Sequence, residues 1–156
     1  VQNLVGLKPS IIRGNASEII ALAGGDGAGK GVDTGDSVAD AQMSARKLAN
    51  DHGCVVAVSG AKDFVTAGTR GAHVRGGSAL MPKVTALGCS LTALIGAYAA
   101  IAPRLEATVA AHLHFAEAGE RAHAQASGPG SFSVAFLDQL HALKPGNLDE
   151  ARLTWD

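Results

Sequence analysis

Val55-Val56-Ala57-Val58 is a short, unbroken apolar run closed off by Gly53 and Gly60. A strand with one wet face alternates apolar and polar residues. A run without alternation is what a strand buried on both faces requires, and such strands belong to mainly parallel sheets covered by helices. The neighbouring segments agree. Upstream, Val38, Ala41, Ala45, Leu48 and Ala49 recur at helical spacing, and Gly53 stands where that helix should stop. Further upstream, Pro9-Ser10-Ile11-Ile12 reads as a buried strand. Asn15 then opens a helix over 16–23, with Glu18 placed as in a capping arrangement and Gly24-Gly25 ending it. Downstream, Phe64-Val65-Thr66, Ala72-His73-Val74-Arg75 and the segment 80–85 follow at short spacing between glycines, which predicts antiparallel strands at a sheet edge. Helical runs over 88–102, 105–125 and 132–143 follow, and 147–156 reads as a last helical turn or a frayed tail. The pattern is α/β ending in helices. Its 156 residues suit one domain spanning the whole chain.

Composition narrows the partners. With 47% hydrophobic and 17% charged residues the chain is globular rather than disordered. Thirteen basic side chains (13) face 14 acidic ones without a run of either sign, so there is no footprint for nucleic acid or an anionic membrane. A small-molecule partner is expected. Cys54 and Cys89 form no CxxC pattern, which speaks against a disulfide framework or a zinc site and for a reducing cytoplasm. The longest apolar stretch, 91–102, is too short to cross a bilayer, and a signal-peptide pattern is lacking, so a soluble protein is expected.

Gly24-Gly25-Asp26-Gly27-Ala28-Gly29-Lys30 imitates a phosphate-binding loop, but it follows a helix rather than a strand. Gly31 also stands where a hydroxyl should reach magnesium, so the segment reads as a surface loop. Arg13-Gly14-Asn15-Ala16-Ser17-Glu18 is better placed, because a strand ends there and a helix N-terminus, which attracts phosphate, begins. Arg13 could fork onto a nucleotide phosphate while Asn15 and Glu18 orient a hydrated magnesium ion. A capping box beside a surface arginine would give the same spacing. Val84-Thr85-Ala86-Leu87-Gly88-Cys89-Ser90 is the second such junction. Its first-turn N–H groups could hold a transferring phosphoryl group, and Cys89 could accept a proton from a substrate hydroxyl, or could instead be a buried structural cysteine. His112 and His114 point to different faces of a helix and cannot chelate together, so they are surface or packing residues. Gly128-Pro129-Gly130-Ser131 opens a helix, with Ser131 as its expected N-cap.

Taken in order, Ile12-Arg13-Gly14-Asn15-Ala16-Ser17-Glu18, Gly31-Val32-Asp33, Val58-Ser59-Gly60, Gly88-Cys89 and Gly128-Pro129-Gly130-Ser131-Phe132 resemble the hydroxyethylthiazole kinase family. Asn15-Ala16-Ser17-Glu18 is also similar to the Asn-x-x-Glu signature of the ribokinase-like superfamily. The resemblance implies a three-layer α/β/α fold with a mainly parallel central sheet, and ATP-dependent phosphorylation of the hydroxyethyl group of a methylthiazole alcohol. By it, Arg13 and Ser59 contact ATP, Asn15 and Glu18 organise Mg2+, Ala86 and Gly88 belong to the substrate-binding turn, and Cys89 takes the catalytic-base position. It also implies a homotrimer. Another ribokinase-like kinase, of the hydroxymethylpyrimidine type, and a non-catalytic nucleotide-binding module stand as alternatives.

Two departures accompany the resemblance. Ala86-Leu87 replaces the family's Gly-Thr before Gly-Cys, which predicts a reshaped anion hole and weakened catalysis. The matched segments also correspond to the later, larger portion of a typical family member. The opening elements, which supply much of the thiazole pocket and an acidic magnesium-site residue, are expected to be missing here. The sequence is then either part of a longer protein or a truncated form.

Overall fold

A computed structural model describes residues 2–24 and 35–156 of the chain. In order, its elements are α1 (Gln2–Val5), β1 (Ile11–Asn15), α2 (Ala16–Leu22), α3 (Gly35–His52), β2 (Val55–Ser59), β3 (Lys62–Thr66), β4 (Gly71–Arg75), α4 (Leu87–Ala99), α5 (Arg104–His123), α6 (Pro129–Ala142) and β5 (Leu153–Trp155). The strands form one sheet in the order β1-β2-β3-β4-β5. Two compact units divide the chain, one comprising Val1–His73 with Trp155–Asp156 and the other Val74–Thr154.

In the first unit, the valine run becomes β2, whose residues Val55 to Val58 are all buried, as a strand covered on both faces must be. β1 lies parallel to it with Ile11 opposite Val55 and Asn15 opposite Ser59. The next ladder reverses direction, with Val56 opposite Thr66 and Val58 opposite Phe64. The switch to antiparallel pairing is what the close glycine spacing beyond Val58 anticipates. α3 presents Ala41, Ala45, Leu48 and Ala49 to a core shared with Ile19, Cys54, Val56, Val58 and Phe64. Gly53, at φ 63°, ends it in the left-handed conformation that glycine accepts without strain. β1 is less buried than Pro9-Ser10-Ile11-Ile12 suggested, since only Gly14 of its residues is fully covered. The loop expected over 24–36 lies largely outside the described residues, and so do the P-loop-like residues after Gly24 and the Gly31-Val32-Asp33 motif.

The second unit is helical. α5 packs against both α4 and α6 and is buried along most of its length, with Ala107, Ala111, Ala118 and Ala122 almost wholly covered. A helix covered on most sides needs small residues where its neighbours come close. Phe136 joins the helices, lying 4.8 Å from Phe115 and 5.7 Å from Phe132 between ring centroids. His112 and His114 of α5 are buried packing residues. His114 sits between the Tyr98 hydroxyl of α4, 2.7 Å away, and the Leu140 carbonyl of α6, 3.2 Å away. This unit corrects two sequence expectations and extends a third. Segment 80–85 is not a strand but a 3-10 turn at Met81–Lys83 with a proline in its first turn. Pro82 has no N–H to give a sheet ladder and its fixed φ suits a helical turn. The C-terminal segment forms a helical turn, of the 3-10 type at Glu150–Arg152, and then adds the short strand β5 in place of a frayed tail. Ser131 is the third residue of α6, not its cap, and its hydroxyl reaches back to accept the Ser127 and Gly128 N–H groups at 2.9 and 3.2 Å. No helix among the described residues is long and apolar enough to cross a membrane.

Candidate active site

Parallel strands gather functional groups at their C-terminal ends, where the chain must leave the sheet. Arg13 and Asn15 are two residues apart on β1 and so project to one side. Ser59 is the ladder partner of Asn15 and shares that side. The consequence is a hydrogen bond from Arg13 Nη2 to Ser59 Oγ at 2.6 Å, while the Ser59 hydroxyl lies 3.3 Å from the Gly14 carbonyl. The guanidinium is thereby fixed in direction at the strand ends. Its Nε is buried without a hydrogen-bond partner, a donor whose desolvation an anionic ligand would offset.

Beside it the chain turns directly into α2 through a complete capping box. Asn15 Oδ1 accepts the Glu18 N–H at 2.9 Å and the Ser17 hydroxyl at 2.8 Å, and Glu18 Oε2 accepts the Asn15 N–H at 2.8 Å. The capping reading of the spacing is therefore realised, and it holds the Glu18 carboxylate beside the strand end. Gly14 permits this closeness, because a Cβ there would come within 3.2 Å of both Glu18 and Ile19 side chains.

The second junction is built differently. Ala86 caps α4 in the left-handed region, φ 68° and ψ 6°, and no side chain caps the helix. Its carbonyl accepts the Ser90 N–H at 3.0 Å and the Ser90 hydroxyl at 3.2 Å. The left-handed conformation is easy for glycine and costs an alanine about 1 kcal/mol. The position thus demands glycine-like backbone whatever residue occupies it. Gly88 and Cys89 follow within the first turn, and Cys89 is exposed. The buried structural cysteine is instead Cys54, packed in the core of the first unit.

Of the expected residues, the structure brings together Arg13, Asn15, Glu18 and Ser59 in the first unit. Ala86, Gly88 and Cys89 are contiguous in the second. The Arg13–Ser59 bond had no signal in the sequence, which names both residues but does not pair them.

As for magnesium, no group of three or more His, Cys, Asp or Glu residues that could hold a metal occurs among the described residues. Magnesium keeps several waters and commonly takes one or two carboxylates plus substrate phosphates. Glu18, with one carboxylate oxygen used in the capping box, fits a partner of that kind. Asn15 Oδ1 already accepts two donors and serves to hold Glu18.

The hydroxyethylthiazole kinase family profile matches residues 1–146. A hydroxyethylthiazole kinase of Rhizobium johnstonii is 62% identical over 151 residues, covering 96% of this chain and 57% of the relative. The relative from Gemmatimonas aurantiaca, of the same name, is 57% identical over 156 residues, covering 99% of this chain and 56% of its own length. The solved structure of a hydroxyethylthiazole kinase protein from Pyrococcus horikoshii OT3 superposes with a TM-score of 0.83 at 30% identity, covering 98% of this chain and 57% of that one. The chain spans little more than half the length of these relatives, and within that span it has their α/β fold. It belongs to the hydroxyethylthiazole kinase family.

Proposed function

We propose that this chain takes part in ATP-dependent phosphorylation of the hydroxyethyl group of 4-methyl-5-(2-hydroxyethyl)thiazole, a step that feeds thiamine formation, as one ribokinase-like domain. The observation that carries the reading is the Arg13–Ser59 pair held against the Asn15–Glu18 capping box at the ends of two parallel strands. Family membership gives that arrangement its substrate.

In this reading Arg13 and Ser59 grip ATP phosphate oxygens, with the guanidinium already aimed by its bond to Ser59. Magnesium carried in with ATP would neutralise phosphate charge, and Glu18, held by Asn15, would meet it through oxygen or water. The uncapped N–H groups following Ala86 and Gly88 receive charge that develops on the transferring phosphoryl group. The substrate alcohol oxygen bonds to the γ-phosphorus, the bond from that phosphorus to ADP breaks, and the alcohol proton passes to Cys89. Positioning and charge stabilisation supply most of the rate, with Cys89 a modest base. A homotrimer working in the cytoplasm is the setting the reading implies.

A second reading, nucleotide binding without turnover, draws support from Ala86 occupying a left-handed position that suits glycine. The test is phosphorylation of the thiazole alcohol by the purified protein with ATP and Mg2+, alongside Cys89→Ala and a panel of other alcohols that includes a hydroxymethylpyrimidine. Phosphoryl transfer that drops about tenfold in kcat for Cys89→Ala, with ATP affinity kept, supports the kinase reading. ATP binding with no transfer to any alcohol overturns it in favour of the binding module.

A further inference from the structure

Gly119 lies in the interior of α5, where glycine costs roughly 0.5–1 kcal/mol relative to alanine, so its presence calls for a packing reason. A Cβ at Gly119 would come within 2.8 Å of Met81 Sδ and 3.2 Å of Gly77 Cα. Gly77, at φ 92°, is open to the same sulfur, since a Cβ there would lie 2.9 Å from it. The Met81 sulfur therefore rests in a notch left by two absent side chains, and the Ser78 N–H points to it from 3.3 Å.

The neighbouring contacts extend the seat along one face of α5. Gly76, at φ 124°, lies where a Cβ would come within 3.1 Å of Glu120 Oε1 and 3.4 Å of Ala116 Cβ. The Ser78 hydroxyl is 2.8 Å from His123 Nδ1 and also accepts the Leu80 N–H at 3.0 Å. Ala116, Gly119, Glu120 and His123 fall at the i, i+3, i+4 and i+7 spacing that shares one helix face. The segment from Gly76 to Met81 is thus laid along α5. It then runs through the 3-10 turn, where the Val84 N–H bonds the Met81 carbonyl at 3.2 Å, straight into the left-handed Ala86.

We propose that Met81, seated against Gly119 and Gly77, is a positioning residue for the Ala86–Cys89 turn. The catalytic part of this claim rests on the kinase reading above. α4 has no side-chain cap to hold its entry angle, and Met81 supplies that hold from the preceding turn. A displacement of about 1 Å at a reacting group can cost on the order of 10²-fold in rate, so a small shift of the seat reaches the chemistry.

Two readouts test the proposal in the full chain. The first is the rate of Cys89 alkylation by iodoacetamide, located by peptide mass and insensitive to buried Cys54. Met81→Ala and Gly119→Ala are each expected to change this rate at least threefold, while Met81→Leu, which refills the notch, returns it to within twofold of the parent. The second is the split of kinetic constants. Both disrupting variants should lower kcat about tenfold or more with KM for ATP altered less than twofold, and Met81→Leu should restore kcat. Unchanged alkylation in both Met81→Ala and Gly119→Ala, in protein whose circular dichroism matches the parent, overturns the proposal. Should Met81→Ala fail to fold, Gly119→Ala and Met81→Leu decide it alone. A parent chain without turnover sinks the kinase reading, and alkylation still decides whether Met81 sets the turn.

Discussion

The two helix-opening junctions, from strand β1 into α2 and from the 3-10 turn into α4, solve the same problem in opposite ways. At α2, the Asn15 and Glu18 N–H groups are met by the capping box of Asn15 and Glu18 themselves, so the junction displays fixed side chains, Arg13 and a carboxylate among them. At α4 no side chain caps the helix, and the left-handed Ala86 leaves the first-turn N–H groups to whatever anion arrives. A capped terminus holds side chains, whereas an uncapped one offers backbone. The proposed phosphoryl transfer would call on both, side chains to grip the donor and backbone to cradle the group in flight.

The largest expected effect probes the capped side. Arg13→Ala should lower kcat/KM for ATP about 100-fold, equivalent to about 2.7 kcal/mol, because it removes the grip and leaves Ser59 without its 2.6 Å donor. An effect under about threefold, measured by steady-state kinetics, would break the assignment of donor and cradle. Next, Asn15→Ala should cost about 1 kcal/mol of stability in urea unfolding through the lost cap, while the same loss cannot be produced at α4 by any side-chain truncation at its cap. Smaller still, Ala86→Gly should stabilise the chain by up to about 0.5 kcal/mol, relief of the left-handed alanine being partly offset by glycine's greater freedom when unfolded. Combined with Leu87→Thr it should raise turnover, and no gain in turnover would show that this turn is not the limiting cradle.

The smallest contrast is with pH. Burial pushes His114 below its ordinary value near 6.5, only partly opposed by its bond to the Leu140 carbonyl and by the charge of Glu117. Its neutral form is the one the fold favours. The stability it contributes is therefore complete above pH 6.5 and is lost as pH falls from there toward the lowered folded value. Because His114 bonds Tyr98 of α4, the protection of α4 amides from exchange, relative to their intrinsic rates, should fall over that window more than the protection of α2 amides. An equal fall in both helices would remove the contrast.

Much of the first unit was legible because its signals are local. Asn15 and Glu18 lie three residues apart and state their own cap. Ala41, Ala45, Leu48 and Ala49 state a helical face, and the valine run states a covered strand. Segment 80–85 misled because its apolar residues outvoted Pro82, whose missing N–H is decisive in a ladder and invisible to hydropathy. β5 escaped because a strand of three residues has no period to read. Ser131 escaped because cap and third helical position differ only in backbone angles, which composition does not encode. The site residues themselves were named by motif, but what joins them was not. Gly119, an isolated glycine within a helical run, was the one available signal for the seat of Met81.

The bond from Arg13 to Ser59 joins residues 46 apart in the chain. The hydrogen bonds of the Ala86 turn, by contrast, span four residues, from Ala86 to Ser90 and from Gly88 to Thr92. The grip is thus a long-range contact, one that exists only after the chain has surrendered the entropy of closing that span. A nucleotide bound there, as proposed, would favour the folded first unit over its unfolded chain and so would raise the melting temperature in proportion to the logarithm of its concentration once saturating. Ligand titration followed by melting therefore reads the integrity of the parallel ladder itself, without any label on it.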